Sequence, residues 1–151
     1  MATRSKIRSA ALKHGWRSGL EEVVSEALTA AGVRFKYEPV ALEYEQPATK
    51  RKYTPDFWLL DNGIIVETKG RFVTEDRKKH LLVRASHPDL DIRFLFSNAR
   101  ARIGKKSNTT YAMWCDAKGF KWAHRTIPDE WLHEAPNPKS LAAVRKLLKG
   151  K

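Results

Sequence analysis

The first clear pattern along the chain is a stripe of apolar residues at the spacing of one helix face. Ser18 precedes the stripe and Glu21 follows three residues later, which is the arrangement of a capping box at a helix start. Gly32 follows the last apolar residue and favours the left-handed conformation that ends many helices. The spacing therefore predicts a helix between Ser18 and Gly32 whose inward side chains are Leu20, Val23, Val24, Ala27, Leu28 and Ala31.

The pattern then changes to an alternation of apolar and polar residues, which is typical of half-buried strands. Residues 33–37 alternate in this way, and after Pro39 the alternation resumes over residues 40–45. Residues 46–52 are polar and basic, and we expect them to form a link.

Residues 56–60 and 64–69 form the strongest pair of strands in the sequence. Asn62-Gly63 lies between them, and this dipeptide is typical of two-residue hairpin turns because both turn residues need positive φ. The sequence therefore predicts a hairpin whose turn consists of Asn62 and Gly63.

The second half of the chain predicts further helices and strands around a basic loop. Thr74 is predicted to cap a helix that stops by His87, because Pro88 follows. The remaining elements are a strand over 92–96, a basic loop over 97–108, a helix from Tyr111 to Lys118 ended by Gly119, a strand over 120–123, a helical turn over 127–132 and a basic amphipathic helix from Ser140 to Lys149. This order predicts a mixed α/β fold with a small central sheet flanked by helices.

The composition is that of a basic globular protein. The 151 residues suit one domain, and the 42% of hydrophobic residues provide a core. A single cysteine excludes a disulfide framework and a cysteine-rich zinc site. No apolar run approaches the roughly 18 residues of a membrane span, and the N-terminus has no signal-peptide pattern. We therefore expect a cytoplasmic protein that has no membrane partner.

The positive charge is concentrated in a few segments. The formal net charge is +12, and 17 of the 29 lysines and arginines lie in four clusters that contain no acidic residue: 1–17, 50–52, 100–106 and 139–151. The rest of the chain has a slight excess of acidic residues. An acidic body with basic loops and ends favours a polyanion such as nucleic acid as ligand, although solvated surface charge would give a similar composition.

Asp56, Glu67 and Lys69 are the candidate chemical groups. A two-residue turn pairs Asp56 with Lys69 and places all three side chains on one face of the sheet, whereas a three-residue turn without a bulge would move Asp56 to the other face. Paired carboxylates among apolar residues suit Mg²⁺ or Mn²⁺, which can activate water toward a phosphodiester. A cross-strand salt bridge between Asp56 and Lys69 is the simpler explanation of the pair.

These residues also match a known pattern. Pro55-Asp56, followed after ten residues by Glu67-Thr68-Lys69, resembles the PD…(D/E)xK signature of restriction-endonuclease-like nucleases, whose core has the order αβββαβ. A longer match resembles the phage endonuclease I family, whose members resolve Holliday junctions. It consists of Arg17-Ser18-Gly19-Leu20-Glu21, Tyr53-Thr54-Pro55-Asp56-Phe57, Val66-Glu67-Thr68-Lys69-Gly70, Asp76-Arg77-Lys78-Lys79-His80-Leu81-Leu82 and Ile127-Pro128-Asp129-Glu130-Trp131.

The resemblance implies a catalytic set, a cofactor and an assembly. The catalytic residues would be Glu21, Asp56, Glu67 and Lys69, with Mg²⁺ or Mn²⁺ held by Asp56, Glu67 and Glu21. The partner would be branched DNA. The assembly would be a homodimer in which residues 38–52 cross between protomers, and Glu21 would then serve the active site of the partner chain. We divide the chain into a basic arm over 1–16, a nuclease domain over 17–135 and a basic tail over 136–151.

The expected DNA-binding residues are basic side chains near the motifs and in the clusters: Arg17, Lys50, Arg51, Lys52, Arg77, Lys78, Lys79, His80, Arg100, Arg102, Lys105 and Lys106. Two other functions stay open beside a junction-resolving endonuclease. The chain could be another DNA nuclease of the same superfamily, or a basic nucleic-acid-binding protein without catalysis.

Overall fold

The computed structural model describes residues 15–16, 18–46 and 49–150. Within these ranges the helices are α1 Gly19–Ala30, α2 Thr74–Ser86, α3 Tyr111–Lys118, α4 Asp129–His133 and α5 Pro138–Lys149. The strands are β1 Phe35–Tyr37, β2 Leu42–Gln46, β3 Thr49–Tyr53, β4 Phe57–Leu59, β5 Ile64–Lys69, β6 Asp91–Phe96 and β7 Trp122–His124. The predicted helices over 111–118 and 140–149 and the strand over 92–96 are confirmed, with ends that differ by at most two residues.

A five-stranded mixed sheet of order β1-β4-β5-β6-β7 forms the centre of the molecule. β1, β4 and β5 are antiparallel neighbours, whereas β5, β6 and β7 run parallel. Apart from β2 and β3, which form a separate sheet between β1 and β4, the elements α1, β1, β4, β5, α2 and β6 have the predicted αβββαβ order, so the mixed α/β prediction is confirmed. Because β5 is central and contacts a strand on each side, its side chains are buried along most of its length.

Both ends of the helix α1 form as the sequence predicts. Ser18 is the N-cap and its hydroxyl accepts the N–H of Glu21 at 3.2 Å. At the other end Gly32 has a φ of +69°, and Val33 N–H donates to the carbonyl of Leu28, which closes a Schellman motif. The apolar stripe is narrower than predicted, because Val23 is 44% exposed.

The predicted link over 46–52 is wrong, because most of it is strand β3. Leu42 pairs with Tyr53 and Gln46 with Thr49, so β2 and β3 form a separate antiparallel hairpin. The inward side chains of the hairpin pack on the same apolar cluster as α2, which explains how a strand rich in lysine and arginine is held in place. Residues 47–48, which join the two strands, lie outside the described residues.

The turn between β4 and β5 also differs from the prediction. Phe57 pairs with Val66, which places Asp56 opposite Glu67 rather than opposite Lys69 and leaves four residues between the strands. The difference in register is an even number of residues, so the side chains keep their faces. The predicted pairing of Asp56 with Lys69 is therefore wrong, and Asp56 itself lies just before β4.

Contacts with the C-terminal part of the chain explain this longer turn. The buried Asn62 amide donates to the carbonyl of Trp131 at 2.8 Å, so its side chain serves a tertiary contact. Gly63 has a φ of +82°, and a Cβ there would lie 2.6 Å from the backbone nitrogen of Leu141. The glycine is thus required both by its conformation and by the close approach of α5.

The helix α2 begins one residue earlier than its predicted cap implies. Thr74 is its first residue and Val73 is the N-cap. The carboxylate of Asp76 accepts the Val73 N–H at 3.3 Å, which replaces the predicted hydroxyl cap. The helix ends at Ser86, as the position of Pro88 predicts.

The C-terminal segment that begins at residue 136 contains α5, and this helix packs on the domain. Asn137 is its N-cap, and Val144 is almost fully buried. The Ser140 hydroxyl donates to the carbonyl of Gly63 at 2.7 Å and accepts the N–H of Asp91 at 2.9 Å. These bonds join α5 to the β4–β5 turn and to β6.

Apolar side chains cover both faces of the sheet. The helices α1 and α4 pack on one face, and α2, α5 and the β2–β3 hairpin pack on the other. An aromatic cluster beside α3 completes the second face. Among residues 15–16, 18–46 and 49–150, no helix is long and apolar enough to cross a membrane.

Candidate active site

Asp56 and Glu67 meet where β4 begins and β5 approaches its end. Both carboxylates are buried, with 7% and 4% of the residue exposed. The Asp56 N–H donates to Oε1 of Glu67 at 3.2 Å, so the two residues are joined by a hydrogen bond as well as by register. The strand pairing therefore brings the two acids of the PD…(D/E)xK pattern together.

Thr68 fixes one oxygen of the Asp56 carboxylate. Its N–H and its hydroxyl both donate to Oδ2 of Asp56, at 2.9 and 2.8 Å. Two donors to one oxygen hold the carboxylate in a single orientation. This role of Thr68 is not predictable from the motif, because its middle position is not restricted in residue type.

Glu21 approaches Asp56 from the first turn of α1. Its carboxylate accepts a hydrogen bond from the hydroxyl of Tyr37, and Glu21 is 6% exposed. Carboxylate oxygens of Glu21, Glu38 and Asp56 lie within 4.8 Å of one another. The predicted site residues Glu21, Asp56, Glu67 and Lys69 therefore lie together in one chain.

Glu38 is a second site residue, after Thr68, that the sequence did not predict. It follows β1 with a φ of 45°, an unusual conformation for glutamate, and its N–H donates to the carbonyl of Asp56 at 2.8 Å. This backbone bond holds the residue beside Asp56. A single acid at the end of an alternating segment carries no sequence signal that would have identified it.

Burial and the neighbouring Asp56 disfavour the charged form of Glu67. Burial, followed by the charge of Asp56, raises the pKa of Glu67 well above its usual value, while Lys69 acts in the opposite direction. The Nζ of Lys69 is 3.8 Å from Oε2 of Glu67. Carboxylate oxygens grouped this closely fit a hard divalent cation, because such an ion would offset the repulsion between neighbouring carboxylates. The buried acidic cluster could therefore hold a metal ion.

His80 and Arg77 occupy positions that differ from the prediction. His80 is 1% exposed among aromatic rings, and its Nε2 lies 3.8 Å from Oε2 of Glu67. Burial lowers the pKa of His80 well below its usual value, so the ring is neutral. Arg77 is 9% exposed and donates to the carbonyl of Phe72 and the hydroxyl of Thr74. Both side chains are therefore buried, whereas the other predicted DNA-binding residues of the described chain are more exposed.

The other predicted DNA-binding residues lie at the surface. Arg51, Lys52, Lys78 and Lys79 line a cleft of about 780 Å³ between the hairpin and α2. Lys50 and the basic residues Arg100, Arg102, Lys105 and Lys106 are exposed. Arg17 lies outside the described residues. The cleft joins the acidic cluster through Lys79, since Asp76 contacts both Lys79 and Lys69.

The sheet order, the Asp56–Glu67 pair and the lysine at the end of β5 define a restriction-endonuclease-like nuclease of the PD…(D/E)xK class. Comparison with known families refines this class. The profile of the phage endonuclease I family matches residues 1–151. The chain belongs to this family.

Two relatives support the assignment. The chain is 50% identical to Endonuclease I of Escherichia phage T7 over 119 residues, which cover 79% of each protein. It is 49% identical to Endodeoxyribonuclease 1 of Enterobacteria phage T3 over 113 residues, which cover 75% of this chain and 74% of the relative.

Proposed function

We propose that the chain is a structure-selective DNA endonuclease that resolves four-way and other branched junctions by metal-dependent phosphodiester hydrolysis. The observation that carries the proposal is the pairing of Asp56 and Glu67 beside Lys69 at the edge of a basic cleft. The names of the T7 and T3 relatives support the nuclease part of the proposal. Selection of branched DNA follows from the family resemblance.

Asp56, Glu67 and Glu21 would hold the metal ion, which we propose to be Mg²⁺ or Mn²⁺ because all ligands are carboxylate oxygens. When bound, such an ion polarises the phosphodiester and lowers the pKa of a coordinated water. Lys69 would stabilise the negative charge that develops on the phosphate oxygens. Thr68 would keep Asp56 oriented, and the buried surroundings would exclude bulk water from the carboxylates.

The exposed basic residues would bind duplex arms through their phosphates. Such contacts position DNA without reading its sequence, which suits recognition of a branch by its shape. Replacement of Lys50, Arg51 and Lys52 by glutamine should weaken binding of all DNA sequences. It should also reduce the slope of log K against log salt by about 0.9 for each phosphate that is no longer neutralised. An unchanged slope would show that the hairpin does not contact DNA phosphates.

We also propose that the chain forms a homodimer in which residues 38–52 are exchanged between protomers. The protein would act in the cytoplasm, and this would be the host cytoplasm if a phage encodes the chain. The hairpin supports exchange, because β2 and β3 are joined through only two residues. If that connection opened, β2 of one chain could pair with β3 of another in the same register. Two active sites in one dimer would allow both strands of a junction to be cut.

The decisive experiment compares a labelled four-way DNA junction with a linear duplex of the same sequence, in Mg²⁺ and in EDTA. We expect paired nicks in the junction in Mg²⁺, little cutting of the duplex, and no cutting in EDTA. Equal cutting of both substrates would instead favour another nuclease of this superfamily. Binding without cleavage would favour a non-catalytic DNA-binding protein. Light scattering of the same sample measures the oligomeric state.

A further inference from the structure

Asp76 lies between two lysines at the edge of the candidate active site. Its Oδ1 is 3.5 Å from Nζ of Lys69 and 3.9 Å from Nζ of Lys79. Lys69 is closer to Asp76 than to Glu67, whose Oε2 is 3.8 Å away. The ammonium group of Lys69 is therefore held between two carboxylates, of which only Glu67 belongs to the PD…(D/E)xK pattern.

The carboxylate of Asp76 is itself held in place. It stands in the first turn of α2, and its second oxygen accepts the Val73 N–H at 3.3 Å. The positive end of the helix dipole is a favourable place for a negative charge. The side chain of Asp76 is 22% exposed and that of Lys69 is 16% exposed, so the pair is partly shielded from water.

Lys69 needs such an anchor for two physical reasons. A lysine side chain has four flexible carbons and loses much rotamer freedom when its ammonium is fixed at one point. In addition, a metal ion bound by Glu67 would neutralise that carboxylate and repel Lys69. Asp76 lies outside the metal-binding set and would keep its negative charge for Lys69 in that state.

Lys79 adds to the need for a carboxylate here. Its ammonium lies 4.7 Å from the centre of the Tyr53 ring. Burial and then the charge of Lys69 lower the pKa of Lys79, which indicates that the two ammonium groups repel each other. A single carboxylate between them allows both to remain close to the acidic cluster.

We propose that Asp76 is a positioning residue that holds Lys69 at the reacting phosphate through a carboxylate–ammonium contact. This inference rests on the proposed function, since Lys69 is assigned there to the phosphate. Asp76 itself does not touch the reacting atoms. Its contribution is to place a flexible cation, an effect that changes the rate of cleavage more than the affinity for DNA.

The first test uses Asp76→Asn, which keeps a side-chain acceptor for the Val73 N–H but removes the charge. We expect single-turnover cleavage of the DNA that the wild type cuts to slow by about 10- to 100-fold. The dissociation constant for the same DNA, measured in Ca²⁺, should stay within about twofold. Glu26→Gln is the control, because Glu26 is an exposed acid on α1 that does not line this cleft, and it should cleave at the wild-type rate. Wild-type cleavage by Asp76→Asn would overturn the proposal.

The second test is a double-mutant cycle with Lys69→Met, which separates positioning from a structural role. If Asp76 acts through Lys69, the double variant cleaves no more than about twofold slower than Lys69→Met alone. Losses that multiply would overturn the proposal. Asp76→Ser, which also offers an acceptor, is judged by the same criterion if Asp76→Asn folds poorly. A wild type that cuts no DNA would overturn both this inference and the proposed function, whereas multiplied losses in an active enzyme overturn only the role of Asp76.

Discussion

Two groups of buried charges in this protein have opposite character. One is the acidic cluster of Glu21, Glu38, Asp56 and Glu67 at the candidate active site. The other centres on Arg93 in β6, which is 1% exposed. Each group lies beside the central sheet, but the second is built around a cation, since Asp91 and Glu134 both form ion pairs with Arg93.

Every part of the Arg93 guanidinium has an anionic partner. Asp91 accepts from Nε at 3.0 Å and from one terminal nitrogen at 2.7 Å, and Glu134 accepts from both terminal nitrogens, one at 3.1 Å. Trp131 lies under the guanidinium at 5.3 Å. Burial alone would lower the pKa of Arg93, but the bonds to Asp91 and Glu134 raise it.

The difference between the two groups separates a structural role from a chemical one. The network around Arg93 is satisfied within the chain, so it joins β6 to the segment after α4 and needs no ligand. In the acidic cluster, burial together with the charge of Asp56 raises the pKa of Glu67. A buried site that a fold leaves electrostatically unfavourable is a candidate for binding a cation.

The largest expected effect is the loss of DNA cleavage when an acid of the acidic cluster is replaced. Asp56→Asn or Glu67→Gln should slow cleavage by about a thousandfold or more, because the metal site loses a charged ligand. Thermal unfolding of the metal-free variants should occur at the wild-type temperature or above it, since like-charge repulsion is reduced. Calorimetry and a junction-cleavage assay measure the two effects. A large loss of stability would assign these acids a structural role.

The opposite result is expected for the second group. Arg93→Met should lower the free energy of unfolding by about 3 kcal/mol, because Asp91 and Glu134 lose the cation that pairs with them. Urea denaturation measures this change. Cleavage per folded molecule should remain that of the wild type. If cleavage fell while stability held, the contrast between the two groups would fail.

Metal binding should stabilise the folded protein through the acidic cluster and not through the Arg93 network. Mg²⁺ at about 100 times its dissociation constant should raise the free energy of unfolding by about 2.7 kcal/mol. The shift should be lost in Asp56→Asn and kept in Arg93→Met, and urea denaturation with and without Mg²⁺ measures it. An equal shift in both variants would place the ion elsewhere.

The smallest effect concerns pH. The hydrogen bond from Arg93 lowers the pKa of Glu134 below its usual 4.5, so this acid stabilises the fold fully above pH 4.5 and loses that contribution as the pH falls through its lowered pKa. Glu134 is partly exposed, and its contribution should be below about 1 kcal/mol. The stability difference between wild type and Glu134→Gln should therefore shrink on acidification below about pH 4.5. A difference that does not depend on pH would contradict this linkage.

The candidate site was largely predictable from local sequence. Asp56, Glu67 and Lys69 stand in a short motif, and alternation along β5 places Glu67 and Lys69 on one face whatever the turn. Glu21 follows Ser18 at the capping spacing, which the structure confirms on the Ser18 side. Glu38 and Thr68 were not predictable, because their roles depend on contacts with Asp56 across the sheet.

Outside residues 46–52, the sequence by itself determined the types and order of the elements, as well as the mixed α/β class and the three central residues of the motif. Hydrophobic periodicity, helix caps and turn residues depend on a few neighbouring residues, so the sequence alone reveals them. The tertiary structure decided the β4–β5 register, the β2–β3 hairpin and the burial of His80. Each of these depends on residues distant in sequence: Trp131 and Leu141 set the turn, α2 holds the hairpin, and aromatic rings enclose His80. Only tertiary packing brings such residues into contact. The free energy of these contacts determines which of several local conformations forms.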